Sequence, residues 1–389
     1  MELSYLTGWE HGILSTTGGG VANDWSSASV QSTTKRTGGY ALRLNPTAAV
    51  CYWEKAIEGG ATPNVLVTRF YVRFATLPGA NVTLFNEDTA FTDFGVGFKF
   101  ATNQFCTLLD GVFGTAGGPT IVTGTWYRID AKFDTSTGTA TVDAQVDGTP
   151  LTQSSGTYTS GVFNMYKVGS NSHSSTMDVF VDDLAISHDS ADYPIGAGSV
   201  IGYSPDSVGT HNLEATPSAA FFTDGAGGEV AITSVETTSY TMIDDVPLNV
   251  DENRAVVKNH ASLTAAHYLE YGYTNSAESG NINGVRALVV LRQDTPANCA
   301  IVARLREGGS DSTIYSGDVN NDFRVYKGST FATKPSGGAW DLTTLNNSLL
   351  RFGFTTDADG VVRLDSSMLE VDFAEAEETA TFIMAFRRG

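Results

Sequence analysis

The amino-acid sequence predicts an all-β protein made of two β-sandwich domains in tandem, with few short helices. Many short segments alternate apolar and polar residues, which is the two-residue period of a strand that has one face on a core. The 41 glycines among 389 residues, with only 17% charged residues, are typical of many short strands and turns. Stretches with a helical period are scarce, and the best are Ala261–Glu270 and Leu342–Leu349.

The clearest element is a hairpin predicted within Trp126–Pro150. Apolar and polar residues alternate from Tyr127 to Phe133, the chain turns at Ser136–Gly138, and the alternation resumes from Ala140 to Val146. One face of this antiparallel pair should therefore pack on a core, and Trp126 should belong to that core. A single strand that closes the same half of the chain is predicted at Val179–Ser187.

A loop-like segment divides the chain into two halves. His188–Thr210 is rich in Gly, Ser, Pro and Asp, and it predicts domains at residues 1–194 and 195–389. Gly284–Arg292 and Cys299–Glu307 are predicted to form a hairpin, because a turn segment with Pro296 separates two apolar runs. Further strands of the second half are predicted at Glu229–Val235, Leu349–Thr355 and Met368–Phe373.

Four segments of the first half, in their order along the chain, carry a resemblance to a known family. They are Gly8-Trp9-Glu10, Gly38–Leu44, the hairpin described above and the strand Val179–Ser187. Roughly residues 1–190 thereby resemble the laminin-G-like, concanavalin-A-like jelly rolls. That family includes lectins, glucanases and non-catalytic virion proteins, so the resemblance implies a fold and leaves the function open.

The second half resembles a domain that recurs in structural proteins of tailed bacteriophages, where it commonly follows such a jelly roll. The segments that carry this resemblance are Asp244–Asn253, Gly284–Asp294, Arg306–Gly309, Lys334–Phe354 and Leu369–Phe373. Both resemblances together imply a non-enzymatic virion protein of a tail, a fibre or a capsid decoration. They imply contacts with other virion proteins and with copies of itself as a homo-oligomer. Such a protein is made in the bacterial host cytoplasm and resides in the virion. The alternative is a carbohydrate-binding, lectin-like protein that attaches to a host-surface glycan.

Charge and hydropathy exclude other classes of partner. With 43 acidic and 23 basic residues the net charge is −20, which argues against nucleic-acid binding. No apolar run approaches the roughly 20 residues that span a bilayer, so no membrane insertion is expected. The first residues lack a basic region followed by an apolar one, so we expect no secretion signal. Cys51, Cys106 and Cys299 are few and far apart, which predicts buried free thiols.

The sequence offers no recognisable catalytic motif. A jelly-roll glucanase needs paired carboxylates on one strand, and the nearest stretch is Asp143–Asp147. Asp147-Gly148 is better interpreted as the start of a turn. No Ser or Cys lies in a nucleophile-elbow motif, although residues distant in sequence can still meet in space. We therefore predict a protein that is not an enzyme and needs no cofactor, with Ca²⁺ as the one ion to consider.

Two acidic segments raise the question of calcium. Asp318, Asn320 and Asp322 open like an EF-hand loop, but Phe323 and Ser329 replace its glycine and its last glutamate. This pattern favours a surface turn. Asp182 or Asp183 is a candidate ligand because jelly rolls of the resembled class sometimes bind calcium at such edges. The alternative is that the inward carboxylate caps a backbone turn.

Trp25 is the candidate for stacking on a sugar ring. It follows Asn23-Asp24 and precedes a serine-rich stretch, so it is the tryptophan most expected to be exposed. Tryptophans in a sandwich more often fill the core.

Overall fold

The computed structural model describes residues 3–12, 21–22, 27–57, 63–88, 93–157, 163–208, 220–224, 229–231, 253–258, 268–273, 280–293, 300–318, 324–354 and 361–375. These residues form four antiparallel sheets that build two jelly-roll-like β-sandwiches in tandem. Helix within this part of the chain is limited to α1 (Leu342–Leu345) and a 3₁₀ turn at Ser190–Asp192. The predicted fold class is confirmed.

The described residues of the first half form sixteen strands. They are β1 (Leu3–Thr7), β2 (Val21–Ala22), β3 (Ala28–Gln31), β4 (Ala41–Leu44), β5 (Ala49–Ala56), β6 (Val65–Thr76), β7 (Val82–Asp88), β8 (Asp93–Lys99), β9 (Gln104–Leu109), β10 (Val112–Phe113), β11 (Trp126–Asp134), β12 (Thr139–Val146), β13 (Thr149–Pro150), β14 (Ser154–Thr157), β15 (Met165–Ser175) and β16 (Asp178–Ser187).

Twelve strands follow in the part of the second half that the structure describes. They are β17 (Gly198–Tyr203), β18 (Ser207–Val208), β19 (Ala220–Asp224), β20 (Glu229–Ala231), β21 (Asn253–Lys258), β22 (Tyr268–Tyr273), β23 (Asn281–Gln293), β24 (Ala300–Glu307), β25 (Ser310–Asp318), β26 (Arg324–Phe331), β27 (Ser348–Phe354) and β28 (Val361–Ala374).

Two sheets enclose the core of the first sandwich. Sheet I has the order β13-β12-β11-β6-β16-β4-β3, with β1 on β16 and β14 on β12. Sheet II has the order β10-β9-β8-β7-β15-β5-β2. The Phe85 ring stacks on Phe70, Phe133 and Tyr166 at centroid distances of 5.4, 5.7 and 6.0 Å. Aromatic burial across the two sheets is therefore a main stabilising contribution of this half.

The predicted hairpin is confirmed as β11 and β12, whose registers pair Ile129 with Val146 and Phe133 with Val142. Its apolar positions are buried, but Trp126 itself is only half-buried and is not part of the core. The predicted strand at Val179–Ser187 is β16, and it is buried on both faces. One face of β16 lies on the first core and the other on the second half, which explains the consecutive apolar residues Leu184–Ile186.

The second sandwich consists of sheets III and IV. Sheet III has the order β20-β19-β21-β28-β23-β26, with β17 on β28, and sheet IV has the order β18-β22-β27-β24-β25. The predicted hairpin of Gly284–Arg292 with Cys299–Glu307 is wrong. Strand β23 pairs with β26 and β28 in sheet III, whereas β24 pairs with β25 and β27 in sheet IV. Both runs are apolar because both sheets enclose one core, so the intervening segment connects two layers.

The two helix predictions have different outcomes. Helix α1 begins after Asp341, whose side chain and that of Thr344 form a capping box, but it ends at Leu345 and β27 follows. The helix predicted at Ala261–Glu270 is wrong for Tyr268–Glu270, which lies in β22, and its earlier residues lie outside the described residues. Among the described residues, no helix has the length and hydropathy needed to span a membrane.

The outer face of sheet I packs on the outer face of sheet III. Leu3, Leu6, Val67 and Ala185 form a small apolar cluster with Ile195 and Val200 from the segment that follows β16. Strand β1 contacts β23, β26 and β28. The layers therefore follow the order II, I, III, IV, with the junction of the two sandwiches in the middle.

Candidate functional site at the junction of the two sandwiches

The junction contains two fully buried ion pairs. Arg69 on β6 donates from Nη2 to Oδ1 of Asp372 on β28 at 2.5 Å, and both side chains are inaccessible to solvent. Arg286 on β23 donates from Nη1 to Oε2 of Glu370 at 2.9 Å and to the carbonyl of Leu6 on β1 at 2.6 Å. Each guanidinium therefore connects the two halves, directly or through a backbone carbonyl.

Strand alternation places these charges on the junction side of sheet III. Val285 and Ala287 flank Arg286 and lie in the second core, as do Leu369 and Val371, the neighbours of Glu370. Residues of opposite parity consequently face sheet I. A hydroxyl from the first half completes the contact, since Thr7 Oγ1 donates to Glu370 Oε1 at 2.9 Å.

Arg36 makes a further connection at the edge of the junction. Its Nη1 donates to Asp183 Oδ2 at 2.7 Å and to the Gly198 carbonyl at 3.0 Å, and its Nη2 donates to Glu375 at 2.6 Å. The guanidinium lies 3.5 Å from the centroid of the Tyr71 ring. One arginine thus links a loop of sheet I, the middle of β16 and the residue that follows β28.

Asp182 and Asp183, the predicted calcium candidates, cap backbone groups in this structure. Asp182 Oδ2 accepts from the Arg36 N–H at 2.8 Å, and Asp183 Oδ1 accepts from the Val200 N–H at 2.6 Å and from Thr37 Oγ1 at 2.5 Å. Burial raises the pKa of both carboxyls above the usual range. In the described part of the chain, no three His, Cys, Asp or Glu side chains are arranged to hold a metal ion.

Glu10 lies in the same buried region. It accepts from the N–H of Gly39 at 2.7 Å, and burial, together with the nearby charges of Glu370 and Asp183, raises its pKa to about 8. Gly38 has a φ of +57° and leaves no room for a side chain, because a Cβ there would overlap the Glu10 carboxylate. The segments Gly8-Trp9-Glu10 and Gly38–Leu44, which carried the resemblance of the first half, therefore meet at the junction.

The remaining predicted site residues are not part of the junction described above. Trp25, Asn320 and Asp322 lie outside the described residues, and Asp318 ends β25 without a described side chain. Asp147 follows β12 at a φ of +49° and accepts from the Arg128 N–H at 2.8 Å, as the turn interpretation requires.

Asp143 lies within β12, 3.4 Å from the Lys132 ammonium, whereas Asp147 lies beyond the end of that strand. Cys51 and Cys106 are buried free thiols, as predicted, and Cys299 lies outside the described residues. Burial raises the pKa of Cys106 to about 11.

A second surface, which carries aromatic and charged side chains, lies on the outer face of sheet II. Tyr52 and Glu54 point away from the core because Cys51 and Trp53 point into it. The Lys167 ammonium lies 5.0 Å from the Tyr52 ring centroid and 3.8 Å from the Glu54 carboxylate.

On the same face Phe113 lies against the backbone of Gly97, where a Cβ would be 2.7 Å from its ring, and it meets His173 edge to face at 4.8 Å. Two aromatic rings, Tyr52 and Phe113, therefore lie on this sheet face, each beside a nitrogen-containing side chain.

No protein-family model and no curated protein matches the chain. Among solved structures, it is similar to a Trypanosoma rangeli sialidase, with 16% identity over 48% of this chain and 30% of the sialidase, at a TM-score of 0.33. Domain 4 of the arabinanase AbnA from Geobacillus stearothermophilus matches with 18% identity over 48% of this chain and 93% of that domain, at 0.34. A tandem of two CBM22 domains from Paenibacillus barcinonensis Xyn10C covers 95% of this chain and 97% of its own length, with 12% identity and a TM-score of 0.28. No function follows from values this low.

Proposed function

We propose that this protein is a non-enzymatic structural component of a tailed-phage virion, where it acts in multiple copies through protein–protein contacts. The observation that carries the proposal is the junction, where Arg69–Asp372 and Arg286–Glu370 are buried between two sandwiches. Separating the sandwiches would expose the small apolar cluster of the junction, break the Arg69–Asp372 pair and remove the Leu6 carbonyl from Arg286, so they should move as one body. A body with fixed surfaces suits a repeated position on a particle.

The resemblance of both halves to virion proteins supports the location. On this proposal the chain is made in the bacterial host cytoplasm and resides in the virion, in a tail, a fibre or a capsid decoration. Its partners are other virion proteins and further copies of itself.

The test is quantitative mass spectrometry of purified particles of the phage that encodes the chain, compared with the infected-cell lysate. We expect the chain in the particles at a fixed ratio to the major capsid protein, with an early non-virion phage protein as the negative control. Abundance in the lysate together with absence from the particles would refute the proposal.

The outer face of sheet II favours a second candidate function, which is binding of a host-surface glycan. Aromatic rings stack on sugars, and the adjacent Glu54, whose side chain is 34% exposed, could accept hydrogen bonds from hydroxyl groups. Binding of the full chain to host-surface polysaccharide should fall when Tyr52 is changed to alanine. It should stay at the wild-type level for Tyr40→Ala, which changes another half-buried tyrosine, just before β4 of sheet I. Equal binding by both variants would contradict this candidate.

A further inference from the structure

The outer face of sheet IV carries a cluster of arginines, which we call the arginine face: Arg304 and Arg306 on β24, Arg351 on β27, Glu270 on β22 and Asp311 on β25. Arg351 Nη2 lies 2.5 Å from Glu270 Oε1, and Arg306 Nη1 lies 2.8 Å from Asp311 Oδ1. Arg304 and Arg351 lie 3.4 and 3.7 Å from the same Asp311 carboxylate. Three guanidiniums thus surround one carboxylate on the four-stranded part of this sheet.

Alternation along the strands fixes these side chains outside the core. Ala303 and Leu305 on β24, and Leu350 and Phe352 on β27, lie in the core of the second sandwich. Arg304, Arg306 and Arg351 alternate with these core residues, so their side chains point away from the core. Sheet III separates sheet IV from the junction, so the arginine face is on the far side of the second sandwich and leaves the contact between the halves untouched.

The charge of this face is opposite in sign to that of the rest of the chain. Three arginines against Glu270 and Asp311 give +1, and with a net charge of −20 the remainder of the chain carries −21. The arginine side chains are 34%, 25% and 16% exposed for Arg304, Arg306 and Arg351, so their outer N–H groups can reach a partner. Guanidinium groups suit carboxylates, because two parallel N–H donors match two oxygens.

We propose that the arginine face binds an acidic surface of a second copy of this chain. This inference rests on the proposed function, which requires contacts between copies. Copies with this net charge repel each other unless a positive face of one meets a negative face of the next, and the arginine face offers such a contact. The contact joins two different surfaces, so it generates a ring or a larger assembly of copies in place of a two-fold dimer.

The experiment is sedimentation velocity of the full-length chain over a concentration series, at ionic strengths from about 0.01 M to about 1 M, where charge interactions range from long to short. The test variants are Arg306→Glu and the milder Arg304→Gln. The matched control is Arg43→Glu, which changes an equally paired arginine, 37% exposed and 2.8 Å from Asp178, on the first sandwich. Far-ultraviolet dichroism checks that each variant keeps its β-sheet spectrum.

We expect the wild type to self-associate most strongly near about 0.1 M ionic strength, because long-range repulsion between copies of charge −20 opposes association at about 0.01 M and salt screens the contact itself at about 1 M. Arg306→Glu should weaken association about tenfold or more, Arg304→Gln should weaken it less, and Arg43→Glu should match the wild type. A wild type that stays monomeric throughout, or a loss that is equal for Arg306→Glu and Arg43→Glu, overturns the inference. So does an arginine-dependent binding of dextran sulfate without self-association, which would assign the face to an anionic polysaccharide.

The two experiments distinguish failure of this inference from failure of the proposed function. A chain that is present in purified particles but does not self-associate overturns only the role of the arginine face. A chain that self-associates through this face but is absent from the particles overturns only the virion assignment.

Discussion

Glu10→Gln should make the stability of the protein less dependent on pH. Glu10 is 2% exposed, and the carboxylates of Glu370 and Asp183 lie near it. The arginines of the junction, Arg36, Arg69 and Arg286, form their ion pairs with other acids. Glutamine has the shape of the protonated acid and keeps an oxygen that can accept from the Gly39 N–H. The substitution therefore fixes the state that burial already favours.

The magnitude follows from the two pKa values. The pKa of Glu10 is about 8 in the folded protein and 4.5 when unperturbed, a difference of about 3.5. Between these values the unfolded chain has released a proton that the folded chain still holds, so raising the pH favours unfolding. At about 1.36 kcal/mol per pKa unit, the wild type loses about 5 kcal/mol of unfolding free energy through this one group as pH rises from 4.5 to about 8.

Urea titrations across this pH range measure the effect. The unfolding free energy of Glu10→Gln should equal that of the wild type near pH 4.5 and should exceed it by a growing margin, up to about 5 kcal/mol, near pH 8. Glu54→Gln, at a 34% exposed glutamate on sheet II, controls for the substitution itself. If the difference between Glu10→Gln and the wild type does not change with pH, the assignment of a protonated Glu10 to the junction is refuted.

Three further outcomes are expected. Arg69→Met leaves Asp372 buried without its guanidinium, so it should lower the unfolding free energy by about 3 to 5 kcal/mol and give two calorimetric transitions, one for each sandwich. The double variant Arg69→Met with Asp372→Leu should recover part of that free energy. A single unchanged transition for Arg69→Met would argue against coupling of the two sandwiches. Phe85→Ala removes three ring contacts and should cost about 3 to 5 kcal/mol in urea unfolding, so a loss under about 1 kcal/mol would contradict the packing. Cys106, with a pKa of about 11, should resist alkylation in the native protein near pH 8 and react after denaturation, as mass spectrometry can show.

The strands could be predicted from the sequence where one face of a sheet is polar. The β11–β12 hairpin is such a case, because its alternation reports a single buried face. The same logic fails for β23 and β24, since two apolar runs separated by a turn signal describe a hairpin and a crossover between layers equally well. The helical period of Leu342–Leu349 predicts α1 correctly, but it predicts too long a helix because Leu349 already belongs to β27.

The junction leaves a signal in the sequence. Arg69 interrupts the apolar run Val65–Ala75, Arg286 interrupts Gly284–Leu291, and Glu370 and Asp372 alternate with apolar residues in Leu369–Phe373. A charge inside an otherwise apolar strand indicates a strand buried on both faces with a partner for that charge. Which charges pair could not be read, because Arg69 and Asp372 are separated by 303 positions.

The charged layer of the junction constrains the relative position of the two sandwiches more strictly than a purely apolar layer would. Apolar contacts between two sheets tolerate sliding, whereas a buried guanidinium is satisfied only where its carboxylate and carbonyl partners are in register. Arg286 needs both Glu370 and the Leu6 carbonyl, and Arg36 needs both Asp183 and Glu375. A displacement of one sandwich by a single residue would take Asp372 from Arg69, the Leu6 carbonyl from Arg286 and Glu375 from Arg36. The layer therefore fixes the angle at which the outer face of sheet II and the arginine face of sheet IV point away from each other, and a repeated assembly requires that the angle be the same in every copy.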